Sequence, residues 1–406
     1  MSEDGSLLRV FELFSGIGGL HLAIKDAAQR VGIPFRLVKA FDVNTIANQV
    51  YLHNFGMQPQ QGLIEPLSAS EFDGRADVWL MSPPCQPYTR GGKQLDAEDT
   101  RAAGLLHLCD IIKELAHPPR LLFLENVRCF EKSQSHKRLM DALHSQHYAI
   151  EQFIVTPSQL GIPNTRVRYY CIAIRSRDLT PEASPGVESM AFEMPAVDGR
   201  EIPADMGRVG DYVERKGRHL ADLLIDRNVF TKNETFLFDV ACEDTRATTT
   251  FTKGYGRNEG RAGPILLCDR QGRPLPSYPP AQQTIQVNGP SVDSPEDCRI
   301  DGTLVSMETY RHVIDTHVLD TRRFRCVCVS CDDEAAECVR YRYFSPREML
   351  RVHGFPEKFA FPACVTTRQQ YGLIGNSISI PVVAHLLQYA LHKCMLLMDG
   401  EGRAGS

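Results

Sequence analysis

Two short apolar runs constrain the fold of this chain more than any other feature: Ala76-Asp77-Val78-Trp79-Leu80-Met81 and Arg120-Leu121-Leu122-Phe123-Leu124-Glu125. Neither alternates apolar with polar residues along its length, so neither suits a sheet with one wet face. Such runs belong to strands buried on both faces, as in parallel sheets covered by helices. The surrounding residues agree. Leu7 to Phe14 reads as a first strand, followed by glycines and a helix through Leu20, Leu22, Ala23 and Ile24, and Phe35 to Asp42 reads as a second strand before a helix over Thr45 to Phe55. Strand alternating with helix predicts an α/β, doubly wound parallel sheet of Rossmann-like type. Ligands of such sheets gather at the carboxyl ends of the strands, which is where the residues with chemical potential stand here.

The alternation holds over residues 1–175, disappears over 176–343, where Pro, Gly, Arg and Asp are frequent, and returns over 344–398 before a tail at 399–406. The expected organisation is a catalytic domain, an inserted recognition lobe and a C-terminal return to the first domain. Ser345-Pro346-Arg347-Glu348 opens a helix, Gly354-Phe355-Pro356 stops it, and Ile380 to Met398 forms a last apolar helix. The chain has 406 residues, enough for this core without disulfides. Its 13 cysteines are odd in number and lack a secreted framework's spacing, so reduced thiols are expected. No basic secretory start and no membrane-spanning run is evident, which predicts a protein inside the cell, cytoplasmic first and nuclear second, with no membrane partner. A net charge of −5 means that any surface for nucleic acid is local.

Phe14-Ser15-Gly16-Ile17-Gly18-Gly19 sits at a strand-to-helix turn, where glycines let backbone approach a ligand at a helix N-terminus. Its spacing departs from the dinucleotide fingerprint, and alone it is only a tight turn. Asp42 ends the second strand, the usual place for an acidic residue that grips ribose, so the pair suggests an adenosine-containing cofactor. In Ser82-Pro83-Pro84-Cys85-Gln86-Pro87, three prolines in six residues hold a thiol rigidly just past a strand end. A buried structural cysteine explains that setting poorly, whereas a reactive thiol fits it. Glu125-Asn126-Val127 brings a carboxylate to the same rim. Asn164-Thr165-Arg166-Val167-Arg168 places two arginines at alternate positions before a strand, and Leu373-Ile374-Gly375-Asn376-Ser377 joins two helices.

Taken in order, Phe-x-Gly-x-Gly-Gly, Pro-Cys-Gln, Glu-Asn-Val, Arg-x-Arg and Gly-Asn-Ser resemble the motif set of the cytosine-5 methyltransferases, over residues 7–175 and 344–397. Met81 to Arg90, Ser158 to Asn164 and Phe251-Thr252-Lys253-Gly254-Tyr255-Gly256 resemble more narrowly the branch once classed as the second eukaryotic DNA methyltransferase, which methylates cytosine 38 of aspartate tRNA. One position departs from that branch: Thr250 stands where a Cys usually precedes Phe-Thr. The resemblance implies S-adenosyl-L-methionine as cofactor, held by Phe14, Ile17, Gly18 and Gly19 at the turn, Asp42 at ribose, Ile64 and Glu65 at the adenosine, and Ser82, Asn376 and Ser377 at the far walls. It implies Cys85 as nucleophile at carbon 6, Glu125 at N3 and the exocyclic amine, and Arg168, with Arg166 beside it, at O2 and orienting the site. The expected substrate is tRNA and the expected form a monomer or loose dimer. The rival readings are a DNA cytosine-5 methyltransferase and a non-catalytic nucleic-acid binder with the same fold.

Two further features bear on partners. Arg322, Arg323, Arg325, Arg340, Arg342, Arg347, Lys253, Arg257 and Arg261 could supply a local positive surface, or be scattered solvated charges. Cys326, Cys328, Cys331 and Cys338 invite a zinc reading, but the spacing does not match paired Cys-x2-Cys and no metal is expected.

Overall fold

The computed structural model describes residues 7–88, 96–175, 190–197, 205–226, 228–232, 238–257, 262–277 and 340–401, with short pieces at 202, 236, 299–300, 303–304 and 323–324. Strands β1 (Leu8–Leu13) and β2 (Phe35–Asp42) alternate with helices α1 (Gly19–Val31) and α2 (Thr45–Phe55). Then come β3 (Gln60–Gln61), β4 (Val78–Met81), α3 (Ala103–Glu114), β5 (Leu121–Val127), α4 (Gln134–Ser145), β6 (Tyr148–Val155), β7 (Arg168–Arg175) and β8 (Met190–Ala191). Together the strands form an eight-stranded sheet in the order β3-β2-β1-β4-β5-β7-β6-β8.

The continuous apolar runs are explained by two cores, one on each face. Val78, Leu80, Leu121 and Phe123 enter the core that contains Leu20 and Ile24 of α1. Their neighbours Trp79, Met81, Leu122 and Leu124 enter the opposite core with Leu108 of α3 and Leu139 of α4. Successive side chains of a strand point to opposite faces, so a strand with helices on both sides has no polar position to spare. The sheet departs from the all-parallel expectation at one place. β7 runs antiparallel to both β5 and β6, so its first residue, Arg168, lies opposite Val127 and Val155. That reversal brings the start of β7 to the same edge as the carboxyl ends of β1, β2, β4 and β5.

The second lobe contains α5 (Asn228–Lys232), β9 (Phe238–Ala241), β10 (Ile265–Cys268), a small hairpin of β11 (Arg299–Ile300) and β12 (Thr303–Leu304), β13 (Arg323–Phe324) and β14 (Arg340–Tyr343). A four-stranded sheet, β13-β9-β10-β14, covers its own apolar cluster of Phe230, Phe238, Val240, Ile265, Leu267 and Tyr341. Phe251 and Tyr255 belong instead to the main core. The Tyr255 hydroxyl donates to Pro264 O at 2.7 Å and accepts from Phe344 N at 2.9 Å, tying this stretch to the chain's return.

The return consists of α6 (Pro346–Val352), α7 (Thr367–Gly375) and α8 (Ile380–Glu401). Ser345 and Glu348 cap α6 reciprocally. The stretch Thr367–Cys394 is long and apolar enough by composition to cross a membrane, contrary to the sequence reading, but 78% of its most apolar window is buried inside the protein. Its residues Val383 and Leu387 lie in the core shared with α1.

The positive surface read from sequence is only partly described. Arg342 is fully buried and paired with Glu348 at 2.7 Å, so it is not a surface cation. Arg347 is half-buried and donates to Phe359 O at 2.7 Å. Lys253 and Arg257 are exposed and Arg340 half-buried, while Arg261, the side chains of Arg322, Arg323 and Arg325, and the cysteines at 326, 328, 331 and 338 lie outside the described residues.

Candidate active site

A cavity of about 720 Å³ opens along the carboxyl edge of the large sheet. Small-molecule sites usually fall at about 300–1,000 Å³. Its wall contains Phe14, Ile17, Gly19, Asp42, Ile64, Glu65, Ser82, Cys85, Glu125, Arg166, Arg168, Asn376 and Ser377, residues far apart in the chain. Gly18 is the exception among the positions named from sequence. A Cβ there would be driven into the Phe55 ring, and its φ of +88 makes it the N-cap of α1, so Gly18 shapes the turn without facing the cavity.

The turn after β1 is closed by Asp42. One carboxylate oxygen accepts from Gly16 N at 2.7 Å and the other from Asn44 N at 2.7 Å. Each oxygen keeps a lone pair for a ligand. Burial raises the Asp42 pKa, and the hydrogen bonds from Asn44 and Gly16 oppose the rise. Phe14 stands at a φ of +59, uncommon for a bulky residue and typical of turns that hold a ligand. The Ser82 hydroxyl donates to Phe14 O at 3.0 Å and so joins this turn to the loop after β4. Two buried polar atoms in the wall, Ser15 Oγ and Glu65 Oε2, have no partner among the described residues. Buried polar atoms are normally paired, so this pair fits a polar ligand. The residues therefore suit an adenosine-type cofactor.

The loop after β4 presents Cys85 to the cavity, half-buried and without a disulfide partner among the described residues. Asn126 holds that loop by donating to Pro83 O at 3.4 Å. Burial pushes the Cys85 thiol up, Arg168 and Arg166 pull it down, and Glu125 opposes them. Glu125, only 8% exposed, lies 3.5 Å from Arg168 Nε through its Oε1, and burial raises its pKa against the pull of both arginines.

Both arginines line the cavity, yet they do different work. The Arg166 guanidinium is committed to backbone: it donates to Phe251 O at 3.2 Å, to Gly375 O at 3.4 Å and to Ser377 O. Burial, aided by Arg168, lowers its pKa to about 9. Arg166 thus ties the second lobe and the α7–α8 turn to the catalytic edge. Gly375 serves the same junction, since a Cβ there would be driven into the Thr252 backbone.

Some cavity residues had not been read from sequence as site residues. Val43, Asn44, Leu63, Thr100 and Arg101 also line the cavity, and Lys253 joins them from the second lobe. Asn44 was findable as the cap of α2, because Asp-x-Asn before a helix supplies both a strand end and an N-cap. Lys253 stood out only as a surface charge, and nothing local to residues 251–256 says that this loop folds back onto the sheet edge.

The sequence profile described as C-5 cytosine-specific DNA methylase matches residues 8–391 of the chain. A protein of Mus musculus named tRNA (cytosine(38)-C(5))-methyltransferase is 30% identical, with 98% of this chain and 99% of that one covered. A protein of Dictyostelium discoideum named DNA (cytosine-5)-methyltransferase is 28% identical, covering 94% of this chain and 93% of the other. The crystal structure of the S. pombe Dnmt2 methyltransferase superposes with a TM-score of 0.66 at 26% identity, covering 96% and 99% of the two chains.

Proposed function

The chain belongs to the C-5 cytosine-specific DNA methylase family, and from that premise we propose that it methylates carbon 5 of cytosine 38 in the anticodon loop of aspartate tRNA by covalent addition of Cys85. The observation that carries the reading is the convergence of Cys85, Glu125 and Arg168 on one cavity with the glycine turn and Asp42.

Carbon 5 of cytosine is a poor nucleophile until a nucleophile adds at carbon 6. The Cys85 thiolate forms that bond, and the displaced electron pair moves toward N3 and O2. Glu125, held protonatable by burial, donates to N3, and Arg168 stabilises the charge at O2. Arg166 holds the surrounding backbone. Once carbon 5 carries the methyl group, its proton passes to solvent, the electrons of that C–H bond reform the 5,6 double bond and expel the Cys85 thiolate, and N3 returns its proton to Glu125. S-adenosyl-L-methionine, when bound, supplies an electrophilic methyl group. Asp42 and Ser15 with Glu65 would hold its polar groups, Ile17, Val43 and Ile64 its adenosine, and Ser82, Asn376 and Ser377 the far wall.

A flipped base costs a few kcal/mol to extract from a duplex and less from a single-stranded loop, which favours an anticodon loop as substrate. The expected setting is the cytoplasm and nucleus, with the protein acting as a monomer. The test incubates enzyme and labelled methyl donor with tRNA and, separately, with duplex DNA, before bisulfite sequencing of the RNA. Label at position 38 of aspartate tRNA supports the reading. Methylation of DNA alone overturns the RNA substrate, and binding without turnover at any cytosine overturns the enzyme.

A further inference from the structure

Residues 163–167 lead into β7 but are not part of it, so this segment lacks a regular strand ladder of its own just before Arg168. A row of three threonines from the second lobe supplies the missing bonds. Thr165 N donates to Thr248 O at 2.7 Å. The Asn164 amide donates to Thr248 Oγ at 3.1 Å and Thr249 O at 2.9 Å, and Thr248 Oγ donates to Pro163 O at 2.7 Å. Thr250 Oγ donates to Thr165 O at 2.9 Å, the carbonyl of the peptide that enters Arg166. The row is itself clamped from β9, where Asp239 Oδ2 accepts both Thr249 N and Thr249 Oγ at 2.6 Å. Asn164 and Thr248 are each 2% exposed, so the bonds from Asn164 to Thr248 Oγ and from Thr248 Oγ to Pro163 O are shielded from competing water, while Thr165, Thr249 and Thr250 are half-buried.

We infer that the row Thr248–Thr250 is a positioning element for the site arginines, with the Thr250 hydroxyl fixing the peptide plane from which Arg166 and then Arg168 project toward Cys85. The inference rests on the proposed chemistry only for its turnover arm. A bond of this kind orients the residues just C-terminal to it: rotation of the 165–166 peptide moves both guanidiniums. Arg166 reads the same junction from the other side through Phe251 O, one residue after Thr250. The two loops therefore lock each other, and neither would hold the arginines alone.

The charged groups that act on Cys85 are Arg168, Glu125 and Arg166, with Arg101 also in the cavity wall. Displacing the arginines should therefore alter the thiol's acidity in the free protein, before any substrate is present. The experiment follows iodoacetamide alkylation of Cys85 against pH, by peptide mass spectrometry, in the full chain and its Thr250→Val and Thr250→Ser variants. For Thr250→Val the Cys85 midpoint should rise by about half to one pH unit, a roughly three- to ten-fold slower reaction at a fixed pH below it. Thr250→Ser should overlay the unaltered chain. In turnover, Thr250→Val should lose about five- to ten-fold in kcat with KM for tRNA nearly unchanged, as expected for one lost hydrogen bond. Should Thr250→Val fail to fold, Thr249→Val, which removes one of the two bonds to Asp239, should move both readouts in the same direction. Overlay of Thr250→Val on the unaltered chain in both assays overturns the inference, and so does a Ser variant as impaired as Val. If the unaltered chain methylates neither RNA nor DNA, the proposed function fails while the alkylation comparison still decides this inference.

Discussion

Glu348→Gln is expected to be among the most damaging near-isosteric changes in the molecule. Glu348 is fully buried and accepts four hydrogen bonds on its two oxygens: from Arg342 at 2.8 and 2.7 Å, from Glu214 N at 2.7 Å and from Ser345 N at 2.6 Å. Arg342 is equally buried and donates further to Gly272 O at 2.6 Å and Tyr343 O at 2.9 Å. Glutamine in place of glutamate turns one acceptor oxygen into a donor, so whichever way the amide is flipped, one arginine nitrogen and one backbone N–H face a second donor. The guanidinium also loses its counter-charge in a site that water does not reach. Breaking a buried pair from one side costs about 3–5 kcal/mol. For a chain of this length that corresponds to a fall in Tm of about 4–6 °C. The pair stitches β14 and the segment around Glu214 to the cap of α6, so the loss should fall on the junction between lobe and core.

The assay is thermal and urea unfolding of Glu348→Gln, Arg342→Met and the double variant. The double variant should lose less than the sum of the singles by about 1–3 kcal/mol, because removing both charges leaves neither uncompensated. It should not regain full stability, since the glutamine amide has one oxygen and leaves one of the Ser345 and Glu214 amides without its acceptor. A Tm for Glu348→Gln within about 1 °C of the parent would refute the reasoning, as would strict additivity of the two singles.

Three further outcomes are expected. Cys85→Ala should lower the methylation rate by at least about 10⁴-fold while leaving the melting curve in place, because no second cysteine lines the cavity among the described residues; retained turnover would sink the covalent scheme. Glu125→Gln should lower kcat by roughly 10²–10⁴-fold and change its pH profile. Cys85 must be deprotonated and Glu125 protonated, so the parent rate rises from acid and falls at alkaline pH, whereas the Gln variant should keep rising to a plateau; an unchanged alkaline fall would show that Glu125 is not the group responsible. Glu12 is fully buried beneath the glycine turn, and burial raises its pKa from 4.5 to about 8, against the hydrogen bond from Tyr51 at 2.7 Å. The folded state thus holds this proton more tightly than the unfolded chain, and stability should decline as pH climbs from about 4.5 to about 8. Glu12→Gln should remove that decline, a gain of at most about 5 kcal/mol above the window, read from urea midpoints at both ends; parallel curves for the two proteins would refute the assignment.

The sequence was most legible where a local rule sufficed. The two apolar runs gave buried strands, and β2 and α2 have the bounds read from pattern, since Asn44 and Gly56 punctuate α2 at its two ends. Cys85 declared itself through the prolines around it. Less legible was the direction of β7. An antiparallel strand that is also buried on both faces carries the same apolar signature as its parallel neighbours, and only pairing tells them apart. Arg342 shows the same limit from another side. In a run rich in arginine it reads as surface charge, and its burial depends on Glu348 being delivered by a helix that begins only at Pro346.

The inventory and its order are determined by sequence alone: a glycine turn, a proline-held thiol, a carboxylate after a buried strand, two alternate arginines, and a final apolar helix. Each of these depends on residues within a few positions of one another. Only the tertiary structure decided which of them meet. The reversal of β7 brings Arg168 beside Glu125, Gly18 turns toward Phe55 while its neighbours face the cavity, and a loop of the second lobe, held by Thr248–Thr250 and Arg166, closes the catalytic edge. The physical reason is that these contacts join residues tens to hundreds of positions apart, bonded through backbone carbonyls that every sequence possesses and no motif reveals.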